Sequence, residues 1–347
     1  MQKNTFKIPK PFKVLLTPIA YIYQFIIFSR NKLFDINLFK TRSLSKPVIS
    51  IGNLTVGGTA KTPFTIFISK HLKNKGVKVG ILSRGYGRKS IGTVVVSDGR
   101  KILNSLNNSG DEPILIAKKT TDIPIVVDNN RYRGGNYLIS EYNPDIIILD
   151  DGFQHRSLKR DLNILLVNSF DKRENHKLIP IGKLREPWKN YKRADILIKT
   201  KSNLIEDNDF LTKKINKTNK NIFISESHIK ISNIFTKKKF TKINLSNKNI
   251  ITVTAIGDHK SFITAIKKTD CNLIKTLNFR DHHNFSQNLW NKIEYSIQKL
   301  NIEFILTTEK DWVKIEPLKR KTSIIVFELN VTISREKDFF KILQNVT

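Results

Sequence analysis

The chain reads as an α/β protein: a parallel sheet covered by helices on both faces, followed by a second, smaller α/β domain. Apolar, β-branched runs of strand length recur from residue 47 with helical intervals between them. After a stretch rich in Lys, Asn and Ser, the same alternation restarts at residue 250. The size agrees, since 347 residues with 39% hydrophobic side chains suffice for two cores.

Residues 1–46 form a separate N-terminal segment, with nine basic side chains against one acidic, Asp35. Its apolar run, 14–28, is flanked by Lys7, Lys10, Lys13, Arg30 and Lys32. The run is short for a membrane span, which needs about 20 apolar residues, and it contains Pro18 and Gln24. Ser29-Arg30-Asn31 is a poor signal-peptide cleavage site. Two readings stay open: a helix lying in the membrane interface, or a first helix packed on the core.

The larger domain is expected over 47–221. It begins with the strand Pro47-Val48-Ile49-Ser50-Ile51-Gly52 and a helix over 63–75. Further strands are expected near 77–82, 92–96, 123–127, 146–149, 162–167 and 196–199. Residues 222–249 read as a linker ribbon, with short alternating runs at 222–225 and 228–234. The smaller domain, 250–347, opens with a strand and continues through a helix at 287–300 and strands at 304–307 and 324–329.

Charge is the compositional outlier. Lys and Arg number 61 against 30 Asp and Glu, a net +31. Such a surplus favours an anionic partner without saying which: nucleic acid, an acidic membrane or a phosphorylated substrate. Only 15 of the 61 are Arg, so much of it also fits a lysine-rich compositional background. A single cysteine, Cys271, rules out an intramolecular disulfide and a cysteine metal cluster.

Ligands of parallel sheets gather at the carboxyl ends of strands, so the turns there carry the chemistry. The first reads Gly52-Asn53-Leu54-Thr55-Val56-Gly57-Gly58-Thr59-Ala60-Lys61-Thr62-Pro63. In a P-loop, backbone N–H groups wrap phosphate oxygens at a helix N-terminus, a Lys reaches the β/γ-phosphates and a Thr hydroxyl binds Mg²⁺. Thr55 and Ala60 stand where that pattern has Gly. At negative φ Ala60 leaves the cradle intact; at positive φ its methyl strains the loop.

A second strand ends in Leu149-Asp150-Asp151-Gly152-Phe153-Gln154-His155, the Walker-B arrangement in which an Asp at a strand end holds Mg²⁺. Further clusters are Ser83-Arg84-Gly85-Tyr86-Gly87, Gly110-Asp111-Glu112-Pro113 and Leu184-Arg185-Glu186-Pro187. In the smaller domain, Arg280-Asp281-His282-His283 offers groups for proton transfer, and Thr307-Thr308-Glu309-Lys310-Asp311 follows a strand.

In this order the motifs resemble those of tetraacyldisaccharide 4′-kinases, the lipid A 4′-kinases of Gram-negative bacteria, from the N-terminal apolar segment to about residue 315. The resemblance implies a P-loop NTPase-like α/β/α sandwich, a smaller α/β domain and a two-stranded linker. It implies transfer of the γ-phosphoryl of ATP, with Mg²⁺, to the 4′-hydroxyl of lipid A disaccharide 1-phosphate. The enzyme would work at the cytoplasmic face of the inner membrane, peripheral or monotopic, on an anionic lipid surface and without nucleic acid.

Carried onto this chain, residues Thr55, Val56, Gly57, Gly58, Thr59, Ala60, Lys61 and Thr62 would cradle the nucleotide. Thr62, Asp150, Asp151 and Glu112 would lie near the metal. Asp111 resembles the catalytic base, assisted by His282, with Arg185 on a phosphate. Arg84, Tyr86 and His155 would face the disaccharide or phosphates. Because Asp111 and His282 lie in different domains, the domains are expected to close to assemble the site. The competing readings are a nucleic-acid-binding P-loop NTPase, suggested by the charge, and a membrane adaptor that has lost ATP chemistry through Ala60.

Overall fold

The computed structural model describes residues 10–206, 209–218, 220–235 and 245–346. Helix α1 (Lys10–Asp35) precedes the sheet, and β1 (Val48–Asn53) runs into α2 (Lys61–Asn74). Then come β2 (Val79–Ser83), β3 (Val94–Ser97), the short α3 (Leu106–Ser109), α4 (Asp111–Lys119), β4 (Ile125–Val127) and α5 (Arg131–Tyr142). The first unit continues with β5 (Ile146–Asp150), β6 (Leu162–Asn168), β7 (Ile196–Thr200) and α6 (Asp209–Asn216). A long strand, β8 (Asn221–Phe235), leads to β9 (Asn249–Thr254), α7 (His259–Ile266), β10 (Asn272–Asn278) and α8 (Gln287–Ile297). The chain ends with β11 (Phe304–Thr308), α9 (Glu309–Ile315), β12 (Ile324–Ile333) and α10 (Glu336–Gln344).

Among the described residues the strands form one sheet, in the order β10-β9-β11-β12-β8-β7-β6-β1-β5-β2-β4-β3. The α/β class expected from the alternating pattern holds. Strand β1 lies between β5 and β6, parallel to both, and every one of its residues is buried. Burial on both faces explains why these strands read as continuous apolar runs rather than alternating ones. Helix α2 buries Phe64, Ile68 and Leu72, one stripe at a spacing of four, in the same core. A second core gathers Ile251, Val253, Trp290, Ile305, Trp312 and Ile324.

The linker differs from its expectation. Residues 221–235 contain neither Gly nor Pro, so nothing turns the chain, and they form one continuous strand rather than two. Asn221–Ile224 pair in parallel with β7, and from Ser225 onward β8 pairs antiparallel with β12. The ribbon's second strand therefore comes from 324–333, not from within 222–249; residues 236–244 of that stretch lie outside the described ones. Strand β12 carries the chain back to the first unit, and Phe339, Phe340 and Leu343 of α10 join the core of Phe64 and Ile68. The last helix of the expected 250–347 domain thus packs with the first unit. Edge strand β10 escaped notice in the sequence because it is polar and largely exposed, without apolar periodicity.

Helix α1 is exposed along much of its length and packed at its end. Phe12, Leu15, Ile19, Ile22, Phe25 and Ile26 are exposed, while Asn31 and Phe34 near its end are buried against the first unit. No described helix is long and apolar enough to cross a membrane.

Candidate active site

The carboxyl ends of β1 and β5 open into a cleft of about 1410 Å³ that also reaches the second unit. Ile51 pairs in register with Asp150, so the sheet itself sets the phosphate loop beside the paired carboxylates. Residues 56–62 line the cleft. Lys61 and Thr62 begin α2, so the helix's free N–H groups and positive end face the loop. Thr59 Oγ1 is buried and has no partner among the described residues, as in a cradle shaped for a ligand. Thr55 is set apart: it does not line the cleft, its hydroxyl lies 3.5 Å from Asp171 Oδ2, and its backbone bridges to Leu184.

Ala60 adopts φ 65°, ψ 28°, the left-handed region. Its Cβ costs about 1 kcal/mol there relative to Gly, so the strained alternative is the one realised. Asp151 (φ 49°), Lys201 (φ 62°) and His282 (φ 60°), which also line the cleft, share a positive φ.

Asp150 is buried and accepts hydrogen bonds from Thr65 Oγ1 at 3.0 Å and Ser83 Oγ at 3.2 Å. Burial, then the nearby carboxylates of Glu112 and Asp151, push its pKa up to about 7. Asp151 goes the other way: burial is outweighed by Lys61, 3.8 Å away, and by Arg185. Glu112 is held by Lys310 Nζ at 3.1 Å. No cluster of three or more metal-ligating side chains occurs among the described residues. Mg²⁺ does not need one, because it keeps waters and binds through one or two carboxylates plus substrate phosphates. A buried carboxylate whose pKa its acidic neighbours raise fits a divalent cation.

Helix α4 starts at Asp111, after Gly110 at φ 91°. A Cβ on Gly110 would sit 2.9 Å from Tyr86 O, so the bare glycine lets the 84–87 turn and the 110–113 turn touch. Asp111 receives His282 Nδ1 at 3.0 Å on both carboxylate oxygens, with Lys314 Nζ at 3.6 Å. Burial would raise the Asp111 carboxyl, but His282, Lys310 and Lys314 bring it down to about 2. Burial also opposes a charged His282; the hydrogen bond it donates to Asp111 outweighs this and lifts the imidazole pKa above its ordinary value. His282 lines the cleft, with Tyr86 4.9 Å from its ring, and Asp111 lies behind it.

Arg185 reaches the site because 183–185 run beside the phosphate loop: Val56 N donates to Lys183 O at 2.7 Å and Arg185 N to Leu54 O at 2.7 Å. Its Nη1 contacts both Asp151 oxygens at 3.1 Å. Helix α1 holds this corner, with Tyr23 Oη donating to Arg185 O at 2.6 Å and Arg30 Nη2 to Gln154 O at 2.5 Å. Arg84 and the exposed Tyr86 stand at the rim. Burial first, then Arg131 and other arginines, lower the His155 pKa to about 4, so its imidazole is neutral at pH 7.

Sequence reasoning assigned nothing to Arg131, Lys310 or Gln154, all of which line the cleft. Arg131 is buried, with Nη1 on the carbonyls of Asp128 and Asn129 at 2.8 and 3.2 Å, and its Nε has no partner among the described residues. The available signal was position, since Arg131 follows β4 as Asp150 ends β5.

The sequence profile of the tetraacyldisaccharide-1-P 4′-kinase family matches residues 12–347, beyond the limit near residue 315 read from motifs. The tetraacyldisaccharide 4′-kinase of Aquifex aeolicus is 36% identical over 333 residues, 95% of this chain and 98% of the relative. That of Bdellovibrio bacteriovorus is 31% identical over 315 residues, 90% and 92% of the two chains. A crystal structure of LpxK from Aquifex aeolicus in complex with ATP matches with TM-score 0.75 at 32% identity, covering 96% of this chain and 99% of that one.

Proposed function

The chain belongs to the tetraacyldisaccharide-1-phosphate 4′-kinase family, and from that premise we propose how its own residues divide the reaction. It is an ATP-dependent kinase that phosphorylates the 4′-hydroxyl of lipid A disaccharide 1-phosphate in lipid A biosynthesis. In the transfer, the 4′-oxygen bonds to the γ-phosphorus and the bond to the β,γ-bridging oxygen breaks. ADP leaves, and the hydroxyl proton must find an acceptor. Positioning and charge neutralisation carry most of such catalysis.

Residues 56–62 cradle the phosphates, with Lys61 on the β/γ-oxygens and Arg185 and Arg131 on the developing charge. Thr62, Asp150 and Asp151, with Glu112 beside them, would hold Mg²⁺, which would supply neutralisation of the phosphate charge. The Asp111–His282 pair accepts the proton, Asp111 as base and His282 as its assistant at the cleft. Arg84, Tyr86 and His155 orient the disaccharide phosphate. The observation that carries this reading is the 3.0 Å bond that ties Asp111 of the first unit to His282 of the second, whose imidazole lines the cleft together with the phosphate loop.

The exposed apolar face of α1 supports seating on an anionic lipid surface, the cytoplasmic face of the inner membrane, peripheral or monotopic. Deleting residues 1–29 is expected to release the protein from anionic vesicles; unchanged partitioning in a flotation assay would remove this role. The nucleic-acid reading has only the +31 surplus behind it, and the kinase is expected to show no salt-steep duplex binding. The main test is label transfer from γ-labelled ATP to the 4′-position of lipid A disaccharide 1-phosphate, abolished in Lys61→Ala. An inactive wild type would contradict the reading.

A further inference from the structure

Beside the phosphate loop, the buried Lys201 and Asn168 and the half-buried Asp258 form a polar cluster at the edge of the cleft that the reaction leaves unassigned. Lys201 follows β7, Asn168 ends β6, and Asp258 caps α7 of the second unit, accepting from Ser261 N at 3.2 Å. The Lys201 ammonium uses its three donors on Gly58 O at 2.9 Å, Asp258 Oδ2 at 2.5 Å and Ser261 Oγ at 3.0 Å. Asn168 Nδ2 reaches Gly58 O at 3.0 Å and Asp258 Oδ2 at 2.7 Å. Burial alone would raise the Asp258 carboxyl; Lys201 and these hydrogen bonds hold it at about 2.

Two donors therefore converge on one carbonyl of the phosphate loop. Across a trans peptide, Gly58 C=O and Thr59 N–H point in opposite directions. Holding the carbonyl on Lys201 and Asn168 fixes the direction of the Thr59 N–H, which in the cradle reading is left for a phosphate oxygen. The second unit is pressed against the same spot. A Cβ on Gly58 would lie 3.0 Å from Asp258 Cβ, and one on Gly257 3.1 Å from both Gly57 Cα and Gly58 N. That same Cβ would lie 2.8 Å from Asp281 Oδ2, the residue before His282.

We propose that Lys201 and Asn168 are positioning residues that set the phosphate cradle through the Gly58 carbonyl, and that Asp258 makes this setting depend on docking of the second unit. The proposal rests on the reading of residues 56–62 as the cradle for ATP. None of the three side chains is required to touch the nucleotide, since their polar atoms are already engaged by protein.

The test is equilibrium binding of Mg-ATP together with steady-state kinetics on the full chain. Lys201→Met is expected to raise Kd and KM for ATP about tenfold or more, with KM for the lipid acceptor changed less than about twofold. Asn168→Ala, which keeps one of the two bonds, shifts ATP binding in the same direction by about threefold, and Lys201→Arg recovers part of the loss. Where Lys201→Met leaves Asp258 unpaired and does not fold, the double variant Lys201→Met/Asp258→Asn removes both charges at once. Weak ATP binding by the folded double variant supports the carbonyl clamp. Affinity within about twofold of wild type overturns it, because the pair would then serve stability alone. Lys61→Ala separates the two layers. ATP binding lost there but kept in Lys201→Met and Asn168→Ala sinks the inference alone, whereas a wild type that binds no Mg-ATP sinks the cradle reading with it.

Discussion

On one side of the cleft, the phosphate loop and Asp150 stand on neighbouring parallel strands, with Ile51 in register with Asp150, and a backbone ladder sets their separation. On the other, Asp111 and His282 come from different units and meet through a side-chain hydrogen bond of 3.0 Å. The first half stands on strands of the first unit, with Asp258 of the second unit pressed against Gly58. The second exists only while the units are together, and it depends on the protonation of one imidazole. The proposed reading thus places phosphate binding and proton acceptance on parts of the molecule held by different kinds of contact, a backbone ladder and a side-chain hydrogen bond.

The largest effect should follow from breaking the assembled half. Asp111→Ala is expected to lower kcat on the order of 10²–10⁴-fold while ATP affinity stays near wild type. A near-normal rate would remove Asp111 as the base. In the built-in half, Arg185→Ala should cost on the order of 10²–10³-fold in kcat, as for loss of one preorganised charge-stabilising donor. It should also let the Asp151 pKa rise, because Arg185 is among the groups that depress it. An unchanged kcat would place Arg185 outside the reaction. The smallest effect tests the loop itself: Ala60→Gly should stabilise the fold by about 1 kcal/mol in denaturant unfolding. Destabilisation would mean that the alanine is not strained.

The two halves were also unequally legible in the sequence. The phosphate half could be read because it lies in local strings: an apolar strand, a Gly-rich turn with Lys61-Thr62, and a second strand ending in Asp150-Asp151. The other half involves Asp111 and His282, 171 residues apart, and only the ordered resemblance to a family linked them. Arg131 and Lys201 were overlooked although both follow strands, because a lone basic residue there has no spacing pattern to mark it. The partner of β8 was missed for a similar reason. Alternation shows that a segment is extended, but pairing with a strand about a hundred residues away is a tertiary fact. The conformation of Ala60 was likewise undetermined, since loop geometry and not composition sets its φ.

The dependence of the assembled half on protonation leads to the most direct measurement. Below its raised pKa, His282 is protonated, and Asp111 beside it is held near 2, a poor proton acceptor. The interdomain pair is then at full strength from about pH 4 to the ordinary histidine value near 6.5. It weakens as pH rises through the raised pKa of His282, and at the acid end as pH falls toward 2. Loss of the imidazolium frees Asp111 and His282 to take the hydroxyl proton, so turnover should rise with pH above about 6.5. The measurement is the pH profile of kcat for wild type and His282→Gln, at saturating ATP and lipid A disaccharide 1-phosphate. The rising limb should be present in the wild type and absent, at a lower rate, in His282→Gln; the same limb in both proteins would contradict a proton acceptor shared between the two units.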